Sequence, residues 1–218
     1  MIFQWQEIAD IPKEPGIYAW YFSPEITDFD LSEAIQKIIS LKLENNHSLA
    51  SGVIRDFLSK NIFRYFQEDP YEASLCGPMK PRYSGMLSHQ PTLSASLIER
   101  IFEEPERLKS IKFILEKSAP HFASPLYIGM TKKLGKRLMQ HKKLIEKYRK
   151  EISREIVDSR VENIEDADHS FALEICKRNI LPSRLFVIIN IFDNQSQKEY
   201  VDIENILNRI HYPLLGRN

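Results

Sequence analysis

Two short aromatic segments that lie far apart in the chain constrain its fold most. The first reads Gly-Ile-Tyr-Ala-Trp-Tyr-Phe over residues 16–22, and the second reads Pro-Leu-Tyr-Ile-Gly over residues 125–129. Runs of aromatic and β-branched residues of this length favour β-strands. Because side chains alternate along a strand, antiparallel pairing in a suitable register would put Tyr18 and Tyr127 on the same side of a sheet.

A third strand and a last helix are predicted near the end of the sequence. Residues 184–192 form the most apolar run, and a polar turn follows at residues 193–196. Apolar side chains at a spacing of three to four then predict an amphipathic helix over residues 198–211. The expected fold class is therefore α/β of the α+β type, with a small antiparallel three-stranded sheet flanked by helices.

The segment after residue 129 predicts a strongly basic helix. The whole chain carries 30 basic and 30 acidic residues, so its formal net charge is zero, but nine basic residues and one glutamate lie between Lys132 and Lys150. Arg137 and His141 are four residues apart and project from one face of such a helix. A helix of this charge is expected to contact a phosphate backbone. The alternative is a solvated helix face, which is the more common reason for a run of charges.

The order of these features resembles the GIY-YIG nuclease family. The resemblance is carried by Gly16-Ile17-Tyr18, by Tyr127-Ile128-Gly129, by the arginine and histidine of the following helix, by Glu204 on a late helix and by a proline-containing tail. It covers residues 15–22, 125–148 and 184–218, which is about a third of the chain, and it leaves the rest unmatched. It implies a small α/β module that cuts nucleic-acid phosphodiester bonds with one divalent metal ion, Mg²⁺ or Mn²⁺, in each active site.

The resemblance implies a set of catalytic side chains, namely Tyr18, Tyr127, Arg137, His141 and Glu204. Glu204 would be the metal ligand, since one carboxylate together with phosphate oxygens and waters suits Mg²⁺. Arg137 can meet two phosphate oxygens at once with a permanent positive charge. The general base stays open between the two tyrosines and the histidine, of which histidine has the best-matched unperturbed pKa.

The same helix and the tail supply the candidate nucleic-acid contacts, which are Lys132, Lys133, Lys136, Lys142, Lys143 and Asn218. Two positions depart from the family pattern. Met130 stands where family members often carry lysine, and Lys132 is the expected substitute. Gly216 stands near the usual position of an asparagine in the tail, which makes Asn218 the nearest candidate.

The segment 23–123 is expected to be a large insertion between the first two strands. Apolar residues at helical spacing over residues 31–41, 50–67 and 93–117 predict a mostly helical subdomain, interrupted by the proline- and glycine-rich stretch 69–91. The catalytic module would then comprise residues 1–22 and 124–218, and the insertion would recognise the target or bind a protein partner. A second insertion at residues 151–182 contains the acidic stretch 162–168.

The expected function is that of a metal-dependent DNA endonuclease of the restriction or defence type. The alternatives are a structure-specific repair nuclease, an RNA nuclease, and a scaffold without catalytic activity that binds nucleic acid or protein. The expected location is the cytoplasm, with no membrane contact, since no apolar run approaches the roughly 20 residues that span a bilayer.

Cutting both strands of DNA with one active site in each chain favours a homodimer. Light scattering that found only single chains on DNA would count against this dimer.

Overall fold

The computed structural model describes residues 1–67, 70–78, 80–87, 92–152, 167–192 and 200–215. The chain divides into two compact units. The first comprises Met1–Pro24 and Leu115–Asn218, and the second comprises Glu25–Ile114. Each unit has its own buried apolar side chains, and each is described by itself below.

The first unit is built on a four-stranded antiparallel sheet. Its strands are β1 (Ile2–Gln4), β2 (Gly16–Phe22), β5 (Tyr127–Thr131) and β6 (Leu185–Ile191), in the order β1-β6-β2-β5. The prediction of a three-stranded sheet was wrong by one strand, because β1 is added at the edge of β6, where Ile2 pairs with Ile188. Three residues are too few to show the two-residue period by which strands are recognised.

The central strand β2 pairs with β6 on one side and with β5 on the other. In the pairing with β5, Tyr18 lies opposite Gly129 and Trp20 lies opposite Tyr127. This register confirms that Tyr18 and Tyr127 share a face of the sheet. A Cβ atom on Gly129 would lie 2.6 Å from Tyr18 Oη and 2.8 Å from Tyr127 Cε1. The tyrosine rings therefore occupy the space that any side chain at position 129 would need.

Two helices lie against this face of the sheet. Helix α5 (Leu134–Ile152) follows β5 after two residues, and helix α6 (Ala167–Lys177) packs beside it. The ring centroid of Phe171 on α6 lies 6.0 Å from that of Trp20, and Cys176 of α6 contacts the Ile145 carbonyl of α5. A 3-10 helix at Trp5–Asp10 also packs against α5.

The last helix, α7 (Tyr200–His211), contacts β5, the edge strand on this side of the sheet. After α7 the chain returns to the two residues just before β5, where the amide groups of Leu214 and Leu215 donate to the carbonyl groups of Pro125 and Leu126. Helix α7 is thereby held against β5 and the tail against the segment that leads into β5. The predicted turn at residues 193–196 and the acidic stretch 162–166 lie outside the described residues.

The second unit contains helices α1 (Asp28–Leu43), α2 (His47–Asn61) and α3 (Ala95–Glu103), and helix α4 (Arg107–Phe122) begins in it. The segment 93–117, whose spacing predicts helical structure, forms the two helices α3 and α4, which are separated near Pro105 because proline has no N–H and disfavours a helical residue before it. The caps of α1, α2 and α3 follow a common rule, since each helix begins after a short polar residue that accepts a backbone N–H: Thr27, Asn46 and Ser94.

The second unit also contains a β-hairpin that the helical prediction missed. Strands β3 (Tyr71–Gly77) and β4 (Lys80–Leu87) pair antiparallel within the stretch 69–91. The prolines and glycines of this stretch favour turns, and its strands are largely exposed on both faces, so no apolar alternation marks them. Among the described residues, no helix has both the length and the apolar character to cross a membrane.

Replacing Gly129 with alanine is expected to destabilise the first unit, since the added Cβ collides with two buried rings that have little room to move. Overpacking of this kind costs about 1–3 kcal/mol of the free energy of unfolding. Chemical denaturation of the Gly129→Ala protein measures it. Gly52→Ala is the matched control, because its Cβ meets nothing within 4 Å on helix α2 and should stabilise by about 0.5–1 kcal/mol. Equal changes in both proteins would contradict this account of the register.

Candidate active site

A buried hydrogen bond joins β2 to α5. Tyr18 Oη lies 2.9 Å from His141 Nε2, and Arg137 Nε donates to the same hydroxyl at 3.4 Å. Tyr18 is 1% exposed and His141 is 0% exposed. An arginine Nε–H can only donate, so the tyrosine oxygen accepts from it and can pass its own proton to His141 Nε2. Which of the two atoms donates in the Tyr18–His141 bond depends on the imidazole tautomer, and the tyrosine donates when Nε2 carries no proton.

Aromatic rings surround His141 on several sides. The ring of Tyr127 lies 5.6 Å away, that of Phe171 lies 5.3 Å away, and that of Trp20 lies 6.3 Å away. The rings of Tyr18 and Tyr127 are 6.2 Å apart. Arg137 and His141 both reach the Tyr18 hydroxyl, so they project from one face of α5 as predicted. The arginine lies toward the start of the helix, and the histidine is buried in the core.

Glu204 reaches this group of side chains from helix α7. Burial raises the pKa of its carboxyl, while the charge of Arg137 and a hydrogen bond donated by the Met130 backbone N–H lower it, and the burial is the larger effect. Met130 is the residue that departs from the family pattern, yet its main chain holds the carboxylate at the edge of β5. Elements β2, β5, α5 and α7 thus bring together all five predicted catalytic side chains.

Glu204 supplies one carboxylate, which is a type of ligand that a hard divalent cation takes. Mg²⁺ takes oxygen ligands and keeps several waters, so it is commonly bound by one or two carboxylates together with substrate phosphate oxygens. No group of three or more His, Cys, Asp or Glu is gathered for an ion in the part of the chain that the structure describes. An ion held by Glu204 would therefore take its other ligands from water and phosphate.

The predicted nucleic-acid contacts fall into different surroundings. Lys132, Lys133 and Lys136 line a cleft of about 310 Å³ together with Arg137 and Met130. Lys142 is turned away from it, since its Nζ donates to the Trp5 carbonyl at 3.0 Å and lies 5.2 Å from the centroid of a Trp5 ring. Lys143 is exposed further along the helix. Asn218 lies outside the described residues.

Two features of the site and one buried polar atom on helix α7 were missed by the sequence analysis. Phe171 contacts both Tyr127 and His141, but it belongs to a helix that the sequence places in a second insertion. The Met130 N–H bonds Glu204, and a main-chain donor has no signal in a residue pattern. Asn208 lies one turn after Glu204, and its Oδ1 is buried without a hydrogen-bond partner among the described residues. Its spacing of four from Glu204 was the available signal.

Comparison of the chain with protein-family models, with curated proteins and with solved structures found no match.

Replacing Glu204 with glutamine is expected to change stability in a pH-dependent way. The folded-state pKa of Glu204 is raised above its ordinary value of 4.5, so the protonated acid is favoured by folding and the ionised form is not. The stability contributed by the proton is complete below pH 4.5 and is lost as the pH rises through the folded-state pKa. Glu204→Gln should therefore be more stable than the unaltered protein at neutral pH, and the difference should shrink on acidification.

Thermal unfolding of both proteins across this pH range measures the effect. Asp202→Asn is the matched control, because Asp202 is exposed on the same helix and its replacement removes the same charge. A stability difference for Glu204→Gln that stays constant with pH, or that parallels the control, would show that burial of this carboxyl is not costly.

Proposed function

We propose that this protein is a metal-dependent endonuclease that hydrolyses DNA phosphodiester bonds, of the restriction or defence type. The observation that carries the proposal is the position of Arg137. It donates to the Tyr18 hydroxyl, its charge acts on Glu204, and it lines the cleft that also holds Lys132, Lys133 and Lys136. A cation for phosphate, a hydroxyl for proton transfer and a carboxylate for a metal ion therefore meet at one place.

Arg137 would bind the scissile phosphate. Its guanidinium is half-buried between the cleft and the Tyr18 hydroxyl, so a phosphate in the cleft meets it before it meets the tyrosine. A planar guanidinium can pair with two phosphate oxygens and oppose the charge that develops on them in the transition state. The half-buried setting strengthens this interaction, because the surroundings screen it less than water does.

Tyr18 and His141 would remove the proton from the attacking water. The water proton passes to Tyr18 Oη as the phenolic proton passes to His141 Nε2, and the hydroxide oxygen bonds to phosphorus. One P–O bond of the phosphodiester breaks, and the departing oxygen takes a proton from solvent. The buried imidazole does not face the cleft, so it acts through the tyrosine. Tyr127 and Phe171 would keep the imidazole in place by packing against it.

Glu204 would hold the divalent metal ion at the edge of β5. When bound, such an ion supplies Lewis-acid stabilisation of phosphate oxygens and favours hydroxide over water. The Met130 N–H and Arg137 orient the carboxylate for this role. Its raised pKa means that a proton competes for the same oxygens, so cleavage should weaken as the pH falls.

Cleavage assays test the proposal. Supercoiled plasmid, bacteriophage DNA and structured RNA are each incubated with the protein in Mg²⁺ or in EDTA. We expect discrete DNA fragments in Mg²⁺ only, and a loss of more than about 100-fold in rate for Glu204→Gln, since even residues that merely support metal ligands cost 10–100-fold. Asp202→Asn on the same helix should cut at the normal rate. Cutting of RNA alone would support the RNA alternative, and the absence of any cutting would support a scaffold.

The same assay tests the proton route. Tyr18→Phe keeps the ring over Gly129 and removes only the hydroxyl, so the rate should fall by about 10²–10⁴-fold, as is typical for loss of general acid–base catalysis. Tyr21→Phe is the matched control on the same strand, because Tyr21 projects from the opposite face and stacks on Phe186 at 5.2 Å. Full activity of Tyr18→Phe would remove Tyr18 from the route and leave Tyr127 and His141 as the candidate bases.

A further inference from the structure

Helix α5 separates two neighbouring clefts in the first unit. The smaller cleft contains Arg137 and Met130 and belongs to the candidate active site. The larger has a volume of about 580 Å³ and lies between α5 and the segment Ala9–Lys13. We call it the α5 groove. Three side chains line both clefts and form a ridge between them: Lys133, Lys136 and Gln140.

The α5 groove combines an apolar floor with a basic rim. Ile11, Gly135 and Met139 form the floor, and Lys13, Lys133, Lys136 and Lys143 stand around it as exposed side chains. A Cβ on Gly135 would collide with the Ile11 carbonyl oxygen, so the start of α5 rests directly on this segment. The groove is thus bounded by two backbone segments in firm contact. Its volume lies within the range of about 300–1,000 Å³ that is usual for small-molecule sites.

The rim lysines differ from two other lysines, which lie on helix α5. Lys142 is bonded to Trp5, and Lys147 pairs with Glu151 at 3.9 Å. The ammonium groups of the four rim lysines make no hydrogen bond or ion pair with any residue that the structure describes. Four unengaged ammonium groups around an apolar floor match the chemistry of a nucleotide, whose phosphate is anionic and whose sugar and base have apolar faces.

We propose that the α5 groove binds the nucleotide of the DNA strand that adjoins the scissile phosphate. This inference rests on the proposed function. With the scissile phosphate on Arg137, the strand crosses the ridge at Lys133 and Lys136. The next phosphate then lies between Lys13 and Lys143, and its sugar rests on Ile11 and Met139. Lys13, which precedes β2 in the sequence, thereby acts with the basic helix in a single binding surface.

DNA binding can be measured in the absence of metal ions, where no cleavage is expected, so that the contribution of the α5 groove to binding is tested separately from catalysis. Fluorescence anisotropy of labelled single- and double-stranded DNA is measured in EDTA at several salt concentrations. The slope of log K against log salt becomes shallower by about 0.7–0.9 for each phosphate that the protein no longer neutralises. We expect a change of at least this size for Lys13→Ala/Lys143→Ala. The control, Lys109→Ala/Lys177→Ala, removes two exposed lysines that are already paired with glutamates, and its slope should be unchanged.

A second measurement asks whether the lysines and one particular phosphate act together. DNA carrying a single uncharged methylphosphonate at successive positions is bound by the unaltered protein and by Lys13→Ala/Lys143→Ala. At the phosphate that adjoins the cut, the modification and the substitution should be non-additive, because each removes the same interaction. Additive effects at every position, equal slopes for the two double variants, or no DNA binding would each overturn the inference.

The outcomes distinguish this inference from the proposed function. If the slopes differ as expected but no DNA is cut, the groove is a nucleic-acid site and the nuclease proposal fails. If DNA is cut in a Glu204-dependent way but the slopes are equal, the nuclease proposal stands and the groove inference fails.

Discussion

Tyr18 lies opposite Gly129 in the antiparallel pair of β2 and β5, and only a residue without a Cβ leaves room there for the tyrosine hydroxyl. The other contacts of the candidate site depend on this fit. Because the ring lies over Gly129, its hydroxyl extends to α5, where it meets His141 and Arg137. Because β5 is an edge strand, its Met130 N–H points away from β2 and is available to Glu204 on α7. One strand pair thus sets the positions of groups from four elements.

The features that the sequence could predict are those with a local period. Alternation along residues 16–22 and 125–129 indicates which tyrosines share a face, and a spacing of four indicates that Arg137 and His141 project together. Features without such a period were missed. Strand β1 is three residues long and is defined by pairing with β6, and the β3–β4 hairpin has little apolar alternation because it is exposed on both faces. The packing of Phe171 on His141 is a tertiary contact that no local pattern encodes.

The sequence also predicts the total charge of α5 but not the direction in which each lysine points. The sequence presents one basic helix, whereas the fold sorts its lysines by direction, since each residue turns about 100° from the one before it. Lys142 faces Trp5 and contributes to packing, while its neighbour Lys143 faces solvent at the rim of the α5 groove. A formal net charge of zero is therefore compatible with a local basic surface, because what governs contact with a polyanion is the charge on one face.

Opposing effects act on the pKa of the Glu204 carboxyl. Arg137 and the Met130 N–H both favour the carboxylate, yet burial outweighs them and the pKa is raised. A carboxylate that served mainly to stabilise the fold through an ion pair would show the opposite balance, with its pKa lowered by the partner. The raised pKa means that folding favours the protonated form of Glu204, and carboxyls with perturbed pKa values are common at binding and catalytic sites. If Glu204 holds a metal ion as proposed, the ion would offset part of the desolvation of this carboxylate.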